Sequence, residues 1–373
     1  MKTSKTMNTV LLVIRWVVGI LFIFSGLIKA NDPLGLSYKM QEFFDAWQIT
    51  YLNDYALPLA LVLNVFEVLA GVAIIIGWRI KVFSWLLLLL IIFFAFLTGY
   101  ATYSGKFKSC GCFGDCIPLT PLQSFIKDLI LLVLIIIIFV YRNKIPPAFN
   151  NMTLPLFILL FTVMGVSLFE TYALTYLPPL DCLPYRVGNN LIEQMQPTAG
   201  SVPDSTQLIF VYKKNGKEVR FDQDHFPDDF NDSSYQYVKR YEKLIRKGND
   251  TPPISDFSLK TFNGTDTTQA ILHQPYYVLL FIQNFSNWNE QGDNYQNVDS
   301  VCKKKNIPLF IVTPLPDVAK ELLPQAHILQ GDATVIKTAA RVNGTYYVMQ
   351  GPVVKKKESY VNSDQVIAAL NKQ

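Results

Sequence analysis

Five runs of about twenty apolar residues, nearly free of charge, occupy 9–30, 56–77, 82–103, 122–141 and 152–176. A run of that length is what a helix needs to cross the roughly 30 Å hydrocarbon core of a bilayer. The second half of the chain reads as a water-soluble domain, so the expectation is a membrane anchor fused to a soluble module. Lys2 and Lys5 precede the first run as they would a secretory signal. Its apolar core is about twice a signal's length of 7 to 15 residues and no small-x-small site follows, so it reads as retained.

With 50% hydrophobic and 17% charged residues, disorder and collagen-like repeats are excluded. A net charge of +4 with no basic patch of useful size gives nucleic-acid binding no support. Lys355-Lys356-Lys357 reads as a solvated strand end. His225, His273 and His327 are scattered and suggest neither a metal site nor a triad.

Cationic residues near span ends are kept on the cytoplasmic side. Lys2, Lys5, Arg79, Lys81, Arg142 and Lys144 fall on one side, against Lys29, Lys39, Lys106 and Lys108 on the other. The bias predicts a cytoplasmic amino terminus, with the loops 31–55 and 104–121 and everything after Tyr176 outside. Long apolar helices rather than alternating barrel strands point to an inner membrane.

After the fifth span, alternation in 207–212 and 218–221 around Asn215-Gly216 predicts a hairpin. Tyr237, Tyr241, Leu244 and Ile245 have helical spacing, predicting a helix over 233–247 closed by Gly248. Beyond Pro252-Pro253, strands at 276–283 and 308–313 alternate with helices near 284–305, 317–323 and 332–340. A hairpin over 346–357 and a helix over 363–371 complete an α/β pattern.

The sharpest chemical feature is Cys110-Gly111-Cys112-Phe113-Gly114-Asp115-Cys116, between two spans on the predicted outer face. Three thiols in a pliant loop can form a disulfide and exchange it with a partner. A Cys110–Cys112 ring would be small and strained, whereas Cys116 reaches either neighbour more easily; strained or exposed bridges are the labile ones. The plainer reading is a structural staple. A metal reading exists as well, with Cys182 as fourth thiolate, but the spacing matches no zinc or iron–sulfur signature. Cys182, just after the fifth span, reads either as a resolving or relaying thiol or as a buried or statically bridged one. Cys302 reads as a core thiol.

Within the spans, Arg15, Asn64 and Glu67 are expensive in hydrocarbon and are expected to face the bundle interior. Arg15 and Glu67 sit at comparable depth by residue count, so an ion pair is one reading. In the other, Glu67 moves protons when a quinone or thiol pair is oxidised, with Arg15 and Asn64 lining the quinone site. Lys127 and Asp128 either position a thiolate or mark the interface. Tyr38, Phe43, Phe44, Trp47 and Tyr51 suggest an interfacial helix or membrane-surface anchor.

Arg15 with Gly19, Phe24-Ser25-Gly26-Leu27-Ile28-Lys29-Ala30, Glu67-Val68-Leu69-Ala70-Gly71 and Cys110-Gly111-Cys112-Phe113-Gly114 resemble the DoxX family, within it the MauE-related branch, over about Val10 to Tyr141. The resemblance implies a four-helix membrane bundle in envelope redox or disulfide chemistry, similar in outline to vitamin K epoxide reductases; the fifth span and large outer domain depart from it. The part after Ile254 resembles a membrane-tethered, periplasmic thioredoxin-like domain. Where that family carries Cys-x-x-Cys this chain has Asn284-Phe285-Ser286-Asn287-Trp288-Asn289, and Gly344-Thr345-Tyr346 stands where it has a cis-proline. Any redox role there is then docking.

The expected domains are 1–145, the four-helix membrane domain; 146–177, the fifth span; 178–252, an extracytoplasmic connecting segment; and 253–373, a redox-inactive thioredoxin-like domain. Two functions follow. One is a membrane thiol–disulfide oxidoreductase in which Cys110, Cys112 and Cys116 exchange disulfides with a periplasmic protein partner, Cys182 relays, and Glu67 handles protons for an acceptor such as a quinone. The other is a non-catalytic envelope scaffold whose cysteines staple loops while the outer domain binds a partner.

Overall fold

The structure, a computed structural model, describes residues 5–372 apart from 106, 108–110, 112, 150, 198–199, 203–204, 215–216, 223–224, 228–229, 231–233, 247 and 249–251. Cys110 and Cys112 therefore lie outside the described residues, as does the Asn215-Gly216 turn.

The first part of the chain forms α1 (Lys5–Asn31), α2 (Pro33–Ala46), α3 (Ala56–Ile76), α4 (Ile80–Ser104), α5 (Pro121–Tyr141) and α6 (Thr153–Tyr176). Five of these, all but α2, are long and apolar enough to cross a membrane. Their outer faces keep large apolar side chains in the open, Phe161 at 71% and Val62 at 68% exposure. Helices apolar all round suit a lipid surround. Inside, Val18, Phe22, Ile74, Leu87, Ile91 and Ile135 interlock. Contact between α1 and α3 depends on absent side chains: a Cβ at Gly71 would stand 2.7 Å from the Gly19 carbonyl, and one at Gly26 2.6 Å from Val68. Small residues allow such close approach where the hydrophobic effect cannot drive helices together. Gly77 ends α3 in the left-handed conformation at φ +68°. Pro33 and the Asp32 side chain, which accepts from Gly35 N, start α2; a Thr120/Gln123 capping box starts α5.

Residues Asn189–Phe257 form a separate compact unit containing α7 (Leu191–Gln194), β1 (Ser205–Lys214), β2 (Lys217–Asp222) and β3 (Tyr235–Arg246). The strand order is β2-β1-β3, antiparallel throughout. The helix predicted over 233–247 is instead β3. Tyr237 and Tyr241, four residues apart, fit the period of two as well as a helical spacing, and pairing of Tyr212 with Tyr237 across the sheet decides between them.

The carboxyl-terminal part contains α8 (Thr268–Leu272), β4 (Tyr277–Phe281), α9 (Trp288–Lys304), β5 (Leu309–Thr313), α10 (Pro316–Leu322), β6 (His327–Gln330), α11 (Ala333–Ala339), β7 (Thr345–Gln350), β8 (Val353–Ser359) and α12 (Ser363–Asn371). The sheet order is β6-β5-β4-β7-β8, with β4, β5 and β6 parallel and β7 antiparallel to both β4 and β8. Every residue of β4 is buried, as expected for a central strand covered on both faces. The sequence reading missed β6 and α8, four and five residues long. Cys302, on the buried face of α9, lies in the core beside Val298 and Tyr346, and burial, aided by Asp299, pushes its thiol up to about 12. The bundle with the chain to Gly188 and the sheet from Ser258 form one compact unit, which includes 178–188 of the expected connecting segment.

Candidate functional site

Antiparallel connectivity brings the end of α1, the start of α3, the end of α4, the start of α5 and the end of α6 to one end of the bundle. There Cys116, in the loop before α5, is bonded to Cys182, just beyond α6, with Cα atoms 4.8 Å apart. Both cysteines are half-buried. The predicted outer loop and the segment after the fifth span thus meet, as a bridge rather than as separate thiols. Asn31, at the end of α1, holds the segment after α6: its Nδ2 donates to Leu180 O at 2.9 Å, and Leu180 N donates to its Oδ1 at 3.0 Å.

The loop lies against the bundle through aromatic contacts. Phe107 stacks on Phe43 of α2 at 4.3 Å, Phe113 tilts against Phe24 at 5.7 Å, and Lys127 sits 4.9 Å above the Phe113 ring. Gly111, between Cys110 and Cys112, adopts φ +67°, and a Cβ there would lie 3.1 Å from the Lys39 stem. Beneath the loop is a cavity of about 60 Å³ walled by Gly111, Lys39, Phe43, Lys29, Phe94 and Lys127. A smaller one of about 20 Å³ adds Glu67, Phe113 and Asp128 and shares Ser25, Phe94 and Lys127 with the first.

Two buried carboxylates face this space. Glu67 pairs with the Lys29 ammonium through Oε1, while its Oε2 has no hydrogen-bond partner among the described residues. Lys29 also lies 4.8 Å above the Phe94 ring. Asp128 accepts from Thr98 Oγ1 at 3.0 Å and pairs with Lys127 at 2.8 Å. A charge so far from water persists only when paired, which makes each pair sensitive to loss of either member.

The Arg15–Glu67 pair expected from sequence does not form. Gly19 stands against Gly71 and Ile75, and Gly26 against Asn64 and Val68, so Glu67 is level with the turn around Ser25. Arg15 lies about ten residues below, roughly 15 Å of helix rise. It donates instead to the carbonyls of Ile74 at 3.1 Å and Ile75 at 2.7 Å. Lys29 reaches Glu67 because side chains lean toward their helix's amino end. Asn64 faces the other way around α3 and donates to Glu170 of α6 at 3.0 Å. Neither Arg15 nor Asn64 lines the cavity beneath the loop.

The sheet meets this end of the bundle. Arg341 donates to Asp32 at 2.8 Å and Asp115 at 2.7 Å, and Lys357 to Asp181 at 2.8 Å. Tyr38 donates to Gln283 at 3.4 Å. Burial works against the Arg341 charge, but Asp32 and Asp115 outweigh it and hold its pKa above the ordinary guanidinium value. Burial lowers the Lys357 ammonium, against the pull of Asp181. Sequence reading missed Arg341, Asp32, Asp115 and Asp181 in this role, and it took Lys357 for part of a solvated strand end, whereas its side chain is buried on Asp181. The signal it passed over is a repeat: both bridged cysteines follow an aspartate, Asp115-Cys116 and Asp181-Cys182.

Just past β4, where the resembled family carries its thiols, Asn343 Oδ1 accepts from Gln283 N at 2.8 Å and Asn284 N at 3.3 Å, and its Nδ2 donates to Asn284 O at 2.8 Å. This amide network fills the position with fixed hydrogen bonds.

No solved structure matches the chain. Residues 206–247 match a family described as a domain of unknown function. Protein TlpB of Flavobacterium psychrophilum is 27% identical over 171 residues, covering 45% of this chain and 44% of the relative. The chain therefore spans less than half the length of that curated relative. Over residues 7–141, the first four membrane-length helices and the cysteine loop, the chain matches the family described as methylamine utilisation protein MauE.

Proposed function

We propose that this protein is a thiol–disulfide oxidoreductase of the bacterial inner membrane, DoxX-like in its bundle, which oxidises the thiols of a periplasmic protein and passes the electrons to a lipid-soluble acceptor. The observation that carries the reading is adjacency. The loop that ends at the half-buried Cys116–Cys182 bridge also walls two neighbouring cavities, Gly111 in the one with Lys29 and Phe113 in the smaller one with Glu67, and Lys29 pairs with Glu67. The cationic residues Arg79, Arg142 and Lys144 at the opposite end support a cytoplasmic assignment for that end.

In this reading a partner thiolate attacks one sulfur of the Cys116–Cys182 bridge, and its second thiol displaces the mixed disulfide. The partner leaves oxidised, and two thiols remain. These reduce a bridge between Cys110 and Cys112 by the same exchange, regenerating their own. The loop dithiol then closes again as it delivers two electrons and two protons to a quinone-class acceptor, a substrate here. Glu67, through its unpartnered oxygen, handles a proton, and Lys29 stabilises negative charge developing nearby.

The group set suits such a ring: the ammonium groups of Lys29, Lys39 and Lys127, the carboxylates of Glu67 and Asp128, and the rings of Phe43, Phe94 and Phe113. The volume is small, since an engineered cavity that admits benzene measures about 150 Å³. Admission of the ring therefore requires α2, which supplies Lys39 and Phe43, to move outward. Phe93, at 43% exposure, marks the wall nearest lipid.

The parallel β4-α9-β5 unit followed by antiparallel β7, β8 and a final helix supports a thioredoxin-like reading of the sheet domain. The Asn343 network supports docking as its role. Trapping thiols in cells that carry single cysteine-to-serine changes tests the proposal. Mixed disulfides with a periplasmic protein should accumulate when one of Cys116 and Cys182 is replaced; a wholly oxidised, inert set in every variant would favour a scaffold.

A further inference from the structure

The two bridged cysteines are held by more than their bond. Asp115, immediately before Cys116, accepts from Arg341 Nη2 at 2.7 Å; Asp181, immediately before Cys182, accepts from Lys357 Nζ at 2.8 Å. Both cations belong to the carboxyl-terminal sheet domain, Lys357 on β8 and Arg341 just after α11, and their side chains are only 5% and 4% exposed, Arg341 and Lys357 respectively. An exposed ion pair would hold little, whereas a buried cation has no water to return to, so its carboxylate is not optional. Arg341 also binds Asp32, which starts α2, tying the loop to the helix that walls the cavity.

We propose that the sheet domain is a two-point grip on the redox bridge, Arg341 on Asp115 and Lys357 on Asp181, which keeps the thiols of Cys116 and Cys182 within bonding range when the bridge is reduced. Reduction by a dithiol or by two molecules of a monothiol adds two electrons and two protons and breaks the S–S bond. Without the grip the two segments, anchored to the bundle through the short stretches to α5 and α6 and through Asn31 on Leu180, drift apart when reduced, and the bridge re-forms less readily. Arg341 and Lys357 are positioning residues; neither touches the sulfurs. The inference rests on the proposed cycling of this bridge.

The test is the equilibrium of the full-length protein in detergent with reduced and oxidised glutathione, read by mass spectrometry of trapped thiols. It needs no acceptor and no partner, so its failure is distinct from failure of turnover. A grip predicts that R341Q and D115N both make the bridge easier to reduce, each by about fivefold or more in the glutathione equilibrium constant, and that combining them adds little. A purely electrostatic influence on the thiolates gives opposite signs, because one change removes a positive charge and the other a negative one. Opposite signs, or shifts under twofold in both, overturn the grip. Should R341Q fail to fold, K357Q and D181N put the same paired question to Cys182.

Discussion

The loop end of the bundle and the segment after β4 are the two places where thiol chemistry could have been installed, and they are built in opposite ways. At the bundle end sulfur is bridged and half-buried, and its loop lines cavities that hold buried charges, with Glu67 Oε2 left unpartnered among the described residues. After β4 there is no sulfur in 283–289, and Asn343 ties the backbone of Gln283 and Asn284. The domain's own cysteine, Cys302, is sealed in the core on the inner face of α9. On the proposed reading, the contrast teaches that a covalent cycle needs access and incomplete satisfaction, while a docking element needs neither.

The largest effect that would break this contrast concerns the cysteines. C116S or C182S is expected to abolish dithiol oxidation, whereas C302A leaves the rate within about twofold, checked in a reconstituted thiol assay. The bridge also closes a long loop, and its loss is expected to lower stability by about 2–4 kcal/mol. Next is reactivity. With a thiol pushed up to about 12, Cys302 is almost wholly protonated at pH 8, so native-state alkylation should run on the order of a thousandfold slower than at an ordinary exposed thiol. The rate should rise about tenfold per pH unit until that value is reached.

The contrast is sharpened by the buried pair. E67Q or K29M leaves one member unpaired and is expected to cost about 3–5 kcal/mol, read by thermal unfolding in detergent. The double change K29M/E67L should recover most of that stability and none of the turnover, separating the pair's chemistry from its packing. The smallest effect is N343A. It frees the amides of Gln283 and Asn284 and should cost about 1–3 kcal/mol locally, seen as faster hydrogen exchange there, with thiol turnover little changed.

Much of the architecture was legible because membrane spans announce themselves by length, as 152–176 did against the observed Thr153–Tyr176. Helix register was not, because depth counted from each end ignores how Gly19 and Gly71 slide α1 against α3; hence Arg15 was matched to Glu67 and Lys29 passed over. β3 was misread because its tyrosines satisfy two periods and only its neighbour strand decides. At the site, the cysteine loop stood out through local spacing. The partners Asp32 and Arg341, 309 residues apart, left no local trace, and the Asp-Cys repeat acquires meaning only when the sheet cations are seen beside it.

The most direct test of the account is stoichiometry. Reconstituted protein supplied anaerobically with a reduced dithiol peptide and a ubiquinone analogue should form one quinol for each peptide disulfide, and C116S should form neither. Peptide oxidation without quinol, or quinol formed equally well by C116S, would contradict an electron path from the bridge into the bundle.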